Sequence, residues 1–306
     1  MKKTDFKITI LIAVNLILAA LLIGLYFFLP TPPIFKPVEK PDAPTPLNTV
    51  EFYEMLRAEL GEHASKFAVC FMRPELDREP LMFQSRPMRP ASMIKMFVMA
   101  KAMFDIKNRM MSLDEMLTIT SENVVGGAGS IAGEGVGAQV SARRLIELMI
   151  IESDNTATNI LMDRLGMENI NRYLRENGYQ DTIINHKMML DEGKMTNLSS
   201  VHDLGLLFTR IYKHECVDDY HDMLMIDYLL RQEDTDCFPS ALPYYNIAHK
   251  TGEVVGLYDD GGIFYGSRGD FILVIMNDGI DGREDAIDRM KSIAVKVSAM
   301  FEPSPR

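Results

Sequence analysis

The sequence predicts an α+β fold in which an antiparallel sheet is flanked by N- and C-terminal helices and carries an all-helical subdomain. Three observations lead to this prediction. Strand-like runs stand near the beginning and the end of residues 48–306, helix-like runs fill the middle, and an amphipathic helix closes the chain. The connections between the later strands are short, which favours antiparallel pairing because parallel strands need long crossovers.

The first elements follow from local periodicity. We expect a helix over 49–62 and two strands, over 67–73 and 80–84, that are joined by a polar turn. Gly166 and Gly178 stand where helix C-caps belong. The helices of the middle are predicted at 91–106, 142–152, 155–165 and 167–177, with one more after residue 200.

The last third of the sequence returns to strands. They are predicted at 245–251, 261–266 and 270–276, and a short turn joins the last two. The closing helix is predicted from a single apolar stripe made of Ala286, Ile287, Met290, Ile293, Ala294, Val297, Met300 and Phe301. Together the elements form one domain over 48–306.

Composition excludes several classes of function. The net charge of −11 and the lack of a Lys/Arg-rich run argue against a nucleic-acid partner. Three cysteines are too few for a disulfide framework; a Cys216–Cys237 bridge and unpaired thiols both stay open. His214, Cys216 and His221 lie close in sequence, but no metal-binding spacing accompanies them, so we expect neither a metal nor a cofactor. We expect a monomer.

The N-terminal region has a composition of its own. Residues 8–29 form an apolar run long enough to span a bilayer, and Lys2 and Lys3 precede it. We therefore predict a membrane anchor over 1–29 and a single-pass protein of the cell membrane with an extracytoplasmic domain. A cleaved signal peptide is the competing interpretation. The linker 30–47 is rich in proline, which predicts an extended spacer.

The first chemical motif is Ser92-Met93-Ile94-Lys95, at the start of the predicted helix 91–106. Positions i and i+3 share a helix face, so Lys95 can reach Ser92. The helix is apolar nearly all round, which predicts that it is buried and that burial lowers the pKa of Lys95. A serine hydroxyl needs a base to take its proton, and the two residues are therefore a candidate nucleophile and base.

Two further motifs follow in order. Ser153-Asp154-Asn155 comes about sixty residues after Ser92, and Lys250-Thr251-Gly252 follows a strand-like run. Each alone fits an ordinary role, as a helix N-cap or as the end of an edge strand. Together, in this order and spacing, they resemble the motif set of the class A β-lactamases and penicillin-binding proteins. The resemblance covers roughly 50–302, and it implies the β-lactamase-like fold.

The resemblance implies a role for each motif residue. Ser92 attacks a carbonyl carbon and becomes acylated, Lys95 accepts its proton, and Ser153 relays a proton to the leaving nitrogen. Asn155 binds a substrate amide, and Asp154 braces the loop.

The third motif is the substrate-binding strand in this resemblance. Lys250 and Thr251 bind the substrate carboxylate, and Gly252 lets the strand approach the ligand closely. The backbone N–H groups of Ser92 and Glu253 form the oxyanion hole.

One element of the class A pattern is missing. Class A enzymes carry a loop Glu that activates the water for deacylation. In the matching stretch of this sequence, Met188 stands at that position. Asp191 or Glu192 could substitute, or each is a solvated loop acid. Without a placed base, hydrolysis of the acyl-enzyme loses about 10²–10⁴-fold in rate.

Three functions stay open on the sequence alone. The first is an enzyme that opens β-lactams, with slow deacylation. The second is a D-alanyl-D-alanine peptidase acting on peptidoglycan, because β-lactams resemble that dipeptide. The third is a membrane-anchored penicillin-binding sensor module. A fourth, a scaffold without chemistry, requires the loss of a motif residue, and none is lost. The small single domain favours the first function, and the missing Glu favours the second.

Overall fold

The computed structural model describes residues 48–190, 193, 195–267 and 269–300. The helical elements begin with α1 (Thr49–Leu60), which Asn48 caps by accepting the N–H groups of Val50 and Glu51. The further helices are α2 (Lys95–Lys107), α3 (Ala142–Ile151), α4 (Asn155–Leu165), α5 (Met167–Glu176), α6 (Val201–Tyr212), α7 (Asp219–Leu230), the short α8 (Phe238–Ala241) and α9 (Arg283–Ala299).

Seven strands form two sheets in the described residues. They are β1 (Phe67–Met72), β2 (Leu81–Phe83), β3 (Met116–Thr118), β4 (Gln139–Ser141), β5 (Asn246–Val254), β6 (Leu257–Tyr265) and β7 (Phe271–Asn277). The main sheet has the order β2-β1-β7-β6-β5, and every neighbouring pair is antiparallel. Strands β3 and β4 form a separate antiparallel pair. The predicted fold class and the antiparallel pairing are therefore confirmed.

Two hydrophobic cores lie on opposite faces of the main sheet. One joins the sheet to the helices of the middle and contains nearly all of α2. The other joins the sheet to α1 and α9, with the stripe Ala286, Ile287, Met290, Ile293, Ala294 and Val297 buried as predicted. Burial of two faces explains the long apolar runs of β1 and β7, since a strand that is covered on both sides loses its polar alternation.

The predicted localisation requires a correction. No helix among the described residues is long and apolar enough to cross a membrane. The run 8–29, on which the single-pass prediction rested, and the linker 30–47 lie outside the described residues.

Candidate active site

Ser92 lies where a buried strand meets a buried helix. It is in a 3₁₀ turn, Ala91–Ile94, that leads directly into α2, so the helix predicted from residue 91 begins with one tight turn. Ala91 has φ +41°, a left-handed conformation that is uncommon for a residue with a Cβ atom. Lys95 follows on the same face, with its Nζ atom 3.0 Å from Ser92 Oγ.

The Lys95 amine contacts four oxygen atoms. Besides Ser92 Oγ, its Nζ atom lies 2.5 Å from Ser153 O, 3.1 Å from Ser153 Oγ and 2.8 Å from Asn155 Oδ1. Lys95 is fully buried, and burial together with the nearby Lys250 lowers its pKa well below the ordinary value, although Asp154 opposes this. The environment of Lys95 therefore favours its neutral amine form.

The neutral form of Lys95 suits proton acceptance from a hydroxyl. A neutral amine has two N–H groups and one lone pair. Ser153 O and the carbonyl oxygen of Asn155 can only accept, so these two contacts use both N–H groups. The lone pair then faces the hydroxyls of Ser92 and Ser153, both of which have a hydrogen to donate.

Ser153 occupies a strained turn between α3 and α4. Its φ of +56° turns the side chain between two amines, with Lys95 Nζ at 3.1 Å and Lys250 Nζ at 3.0 Å. The neighbouring Asp154 is fully buried and caps α4 by accepting the Ala157 N–H at 2.7 Å; its second oxygen accepts the Ile131 N–H, also at 2.7 Å. Asp154 thus ties the turn both to its own helix and to the preceding loop.

The third motif lies on the edge strand β5. Lys250 is fully buried and donates to Ser153 Oγ at 3.0 Å and to Thr251 O at 2.8 Å. Burial lowers its pKa to about 8, while Asp234 and Asp260 act in the opposite direction. The structure therefore brings both lysine amines, Lys95 and Lys250, within hydrogen-bond distance of the Ser153 hydroxyl.

Gly252 and Glu253 extend this strand past the turn Ala91–Ile94, which carries Ser92. A Cβ atom on Gly252 would lie 2.7 Å from Pro90 O and 3.2 Å from Met93 N, so a larger residue would push β5 away from the turn that carries Ser92. Glu253 is exposed, and its carboxylate pairs with Arg283 at the start of α9. The side chain of Glu253 is therefore engaged outside the cluster.

A glycine-rich loop packs on the second motif. A Cβ atom on Gly127 would lie 2.6 Å from Asn155 Nδ2, and one on Gly129, at φ +102°, would lie 2.4 Å from the Cα atom of Asp154. The Asn155 side chain also donates from Nδ2 to Gly126 O, and its backbone N–H donates to Ala128 O. These close approaches explain why glycines occur at 127 and 129, where the loop packs against Asp154 and Asn155.

The loop with the unusual Met188 is attached to α4. Asn159 lies one turn after Asn155; its Oδ1 accepts the Met188 N–H at 2.8 Å and its Nδ2 donates to Met188 O at 3.1 Å. Met188 is half-buried against the core, and Met189 is exposed. The alternatives Asp191 and Glu192 lie outside the described residues. Asn159 is not among the residues predicted from the sequence for this site, although its i+4 spacing from Asn155 is a usable signal.

The remaining candidates from the sequence were possible metal ligands and disulfide cysteines. The described residues contain no group of three or more His, Cys, Asp or Glu side chains that could hold a metal ion. Cys70, Cys216 and Cys237 are free thiols, and burial raises the pKa of both Cys70 and Cys216 to about 12. The chemistry available in the cluster is therefore that of a serine, two lysines and their hydrogen-bond partners.

Comparisons with known proteins identify the family of the chain. A family model described as the β-lactamase enzyme family matches residues 51–301. No curated protein sequence matches the chain.

Several solved structures share the fold. PBP-A is similar with a TM-score of 0.76 at 24% identity, over 85% of this chain and 98% of that one. A mutant of PBP-A in an acyl-enzyme complex with penicillin G gives 0.77 at 24% identity, with the same coverage. A β-lactamase from Sphaerobacter thermophilus DSM 20745 gives 0.75 at 19% identity, over 85% and 100%.

Proposed function

Since this chain belongs to the β-lactamase enzyme family, we propose that it is a serine hydrolase that β-lactams acylate at Ser92 and that releases the opened product slowly. One observation supports the proposal above the others. The Lys95 amine lies within hydrogen-bond distance of both the Ser92 and the Ser153 hydroxyls, and its burial favours the form that accepts a proton.

In the proposed acylation step, Ser92 Oγ attacks the lactam carbonyl carbon and its proton passes to Lys95 Nζ. The tetrahedral oxyanion accepts the backbone N–H groups of Ser92 and Glu253, and each such donor is typically worth about 3–4 kcal/mol. The C–N bond then breaks, and the leaving nitrogen takes a proton from the Ser153 hydroxyl. Ser153 is replenished from the lysine amines on either side of it.

Substrate binding is assigned to the edge strand and the loop opposite it. Lys250 and Thr251 bind the substrate carboxylate, since a cation and a hydroxyl match its charge and its lone pairs. Gly252 keeps β5 close to the nucleophile turn. Asn155 donates to a substrate amide; its Oδ1 is held by Lys95 and its Nδ2 faces the glycine-rich loop.

Deacylation is the step that this site supports least. The position beside Asn159 holds the apolar Met188, which cannot activate water. We therefore expect acylation to outpace hydrolysis, so that the acyl-enzyme accumulates.

The test is a rapid-mixing experiment with a chromogenic cephalosporin. We expect a burst equal to the enzyme concentration, followed by a slow steady state, and an adduct on the Ser92 peptide by mass spectrometry. Ser92→Ala is expected to give neither burst nor adduct. An adduct on another residue, or a wild-type protein that is never acylated by excess penicillin, contradicts the proposal.

A second candidate function is a D-alanyl-D-alanine peptidase, and Met188 is the observation that favours it. An enzyme that cleaves a peptide slowly tolerates a missing water-activating base better than one that must clear an antibiotic. Release of D-alanine from a pentapeptide ending in D-alanyl-D-alanine, measured beside cephalosporin turnover, separates the two. A peptide rate above the steady-state lactam rate supports the peptidase.

A further inference from the structure

The direction of the Glu253 backbone N–H follows from the pairing of the edge strand β5. Glu253 stands opposite Tyr258 in the β5–β6 register. The Tyr258 N–H donates to Asn277 Oδ1 on β7, at 3.3 Å, and therefore points away from β5. In an antiparallel pair of this kind, the two opposed residues direct their N–H groups away from each other. The Glu253 N–H consequently points to the free edge of the sheet, as its proposed role in the oxyanion hole requires.

The same strand packs against the turn that carries Ser92. A Cβ atom on Gly252 would be 2.7 Å from Pro90 O and 3.2 Å from Met93 N, so the two backbones are nearly in contact just before Glu253. The N–H groups of Ser92 and Glu253 must reach one oxyanion together, and an oxyanion hole works only when its donors are placed in advance. A displacement of the end of β5 would therefore weaken the proposed oxyanion hole.

Arg283 contacts the side chains of both members of the Glu253–Tyr258 pair. Its Nε atom lies 3.0 Å from each carboxylate oxygen of Glu253. Its guanidinium carbon lies 5.0 Å from the centre of the Tyr258 ring, which is a cation–π distance. Its Nη2 donates to Asp236 Oδ2 at 2.8 Å, in the loop between α7 and α8. Arg283 thus connects the end of β5 both to α9 and to that loop.

The position of Arg283 is not explained by the helix that contains it. Arg283 is the first residue of α9, where a cation opposes the helix dipole and acids such as the following Glu284 and Asp285 are favoured. The carboxylates of Glu253 and Asp236 offset this placement. All three side chains are partly exposed, so the two ion pairs add little to the stability of the fold. Their effect is expected in the placement of β5.

We propose that Arg283 is a positioning residue for acylation, because its ion pair with Glu253 holds the Glu253 N–H where the tetrahedral oxyanion forms. The inference rests on the proposed function, in which this N–H is an oxyanion donor. The tip of the β5–β6 hairpin is tied separately, since Gly256 O accepts the Gly279 and Ile280 N–H groups at 2.9 Å and 3.2 Å. Loss of Arg283 should therefore displace the end of β5 without unfolding the hairpin.

The test is a double-mutant cycle on the acylation rate constant at saturating chromogenic cephalosporin. Arg283→Met keeps an unbranched side chain beside the Tyr258 ring but removes the charge, and Glu253→Ala removes its partner. We expect each variant and their combination to lose about tenfold, which is less than the roughly 10²–10³-fold cost of a whole oxyanion donor. The apparent dissociation constant of the lactam should stay unchanged, because the oxyanion forms only after attack.

Equal losses in the two single variants and in the double variant support the inference, since they show that the two side chains act as a unit. If Glu253→Ala acylates at the wild-type rate, the loss in Arg283→Met comes from the unpaired Glu253 charge, and the inference is wrong. It is also wrong if the two losses multiply in the double variant, or if Arg283→Met reacts like the wild type.

Arg289→Met is the matched control. Arg289 lies on the same helix, pairs with Asp285 at 3.0 Å and donates to Glu59 O on α1. We expect this variant to acylate at the wild-type rate. An equal loss would mean that removing any cation from α9 slows the reaction, which contradicts a specific role of Arg283.

A measurement on the free protein separates this inference from the proposed function. The order parameter of the Glu253 N–H, from ¹⁵N relaxation, should fall from about 0.85, the value of a rigid backbone, towards about 0.6 in Arg283→Met. It should stay high in Arg289→Met. An unchanged order parameter in Arg283→Met overturns the inference. A wild-type protein that forms no acyl adduct refutes the proposed function, while the order parameter still decides whether Arg283 holds the end of β5.

Discussion

Two residues of α4, one helical turn apart, contact two regions with different chemistry. Asn155 contacts Lys95 in a cluster where a serine, two lysines and a second hydroxyl are within hydrogen-bond distance of one another. Asn159 binds the backbone of Met188, whose side chain has no group that can move a proton. An asparagine of α4 contacts each region, and the two regions differ in the side chains that they offer.

In the proposed function, the groups for acylation and the groups for deacylation therefore lie in two different regions of the same fold. The groups that the proposed acylation step requires, two serine hydroxyls and two lysine amines, are all present around Ser92. The backbone of Met188 is held by two hydrogen bonds to Asn159, but the Met188 side chain offers no base for water. The comparison therefore predicts that changes in the cluster alter acylation, and that changes at Met188 alter only hydrolysis of the acyl-enzyme.

Lys95→Ala should have the largest effect. Removing the base costs about 10²–10⁴-fold in the rate of acylation, because Ser92 then has no lysine amine within reach to take its proton. Stopped-flow measurement of the burst rate checks this, with Lys107→Ala at the exposed end of α2 as the control that should react normally. Acylation within tenfold of wild type would show that another group is the base.

Met188→Glu should act on the other region. A carboxylate on the backbone that Asn159 holds can activate water, and we expect deacylation to rise about 10²-fold while the burst rate changes little. The decay of the isolated acyl-enzyme, followed by mass spectrometry, is the measurement. Met189→Glu places the same charge on the exposed neighbour and should leave the decay unchanged. Equal acceleration in both variants would point to a general charge effect.

Gly129→Ala tests the packing of the glycine-rich loop on Asp154. Its Cβ atom would collide with Asp154, and φ +102° is unfavourable for alanine, so we expect a loss of stability of about 1–3 kcal/mol. Gly133→Ala has free space around its Cβ atom and an ordinary φ, and it should be nearly neutral. Thermal unfolding of the two variants side by side is the check; similar melting temperatures would mean that the loop does not rest on Asp154.

The fold was predictable where apolar residues recur at the regular spacing of a helix or a strand. Helix α4 was predicted at its observed bounds and α9 by its stripe, because both present a regular apolar face. Helix α7 was missed because carboxylates and large apolar residues mix along it; even Asp222, which accepts the Cys216 and Val217 N–H groups, is buried.

The site could be predicted only as far as the motifs reach. Their order and spacing brought Ser92, Lys95, Ser153 and Lys250 together as candidates, because each motif contains a hydroxyl or an amine suited to the proposed chemistry. The pair His249–Asp260 depends on the register of the β5–β6 hairpin, and the pair Glu253–Arg283 depends on the placement of α9 beside β5. No local pattern carries that information.

Asp154 and Asp259 are two equally buried acids with different hydrogen-bond partners. The substitution Asp259→Asn should have the smallest effect of those considered. Asp154 uses both oxygens to accept N–H groups, whereas Asp259 Oδ1 accepts Asn277 N at 2.8 Å and its Oδ2 has no hydrogen-bond partner in the described residues. Burial raises the pKa of Asp259 well above the ordinary value. Between about pH 4, where the unfolded carboxyl titrates, and the raised pKa of the folded form, the folded protein binds one more proton than the unfolded chain, so stability falls as the pH rises through this range.

An amide in place of the Asp259 carboxyl removes this proton linkage. Asp259→Asn should melt close to wild type at pH 4 and a few degrees above it at pH 8, since about 1 kcal/mol corresponds to roughly 2–4 °C in a domain of this size. Asp154→Asn should do the opposite and melt lower at both values, because an amide Nδ2 cannot accept the Ile131 or Ala157 N–H. If Asp259→Asn also melts lower at pH 8, its carboxylate is ionised and has a partner in the folded protein, and the contrast between the two acids fails.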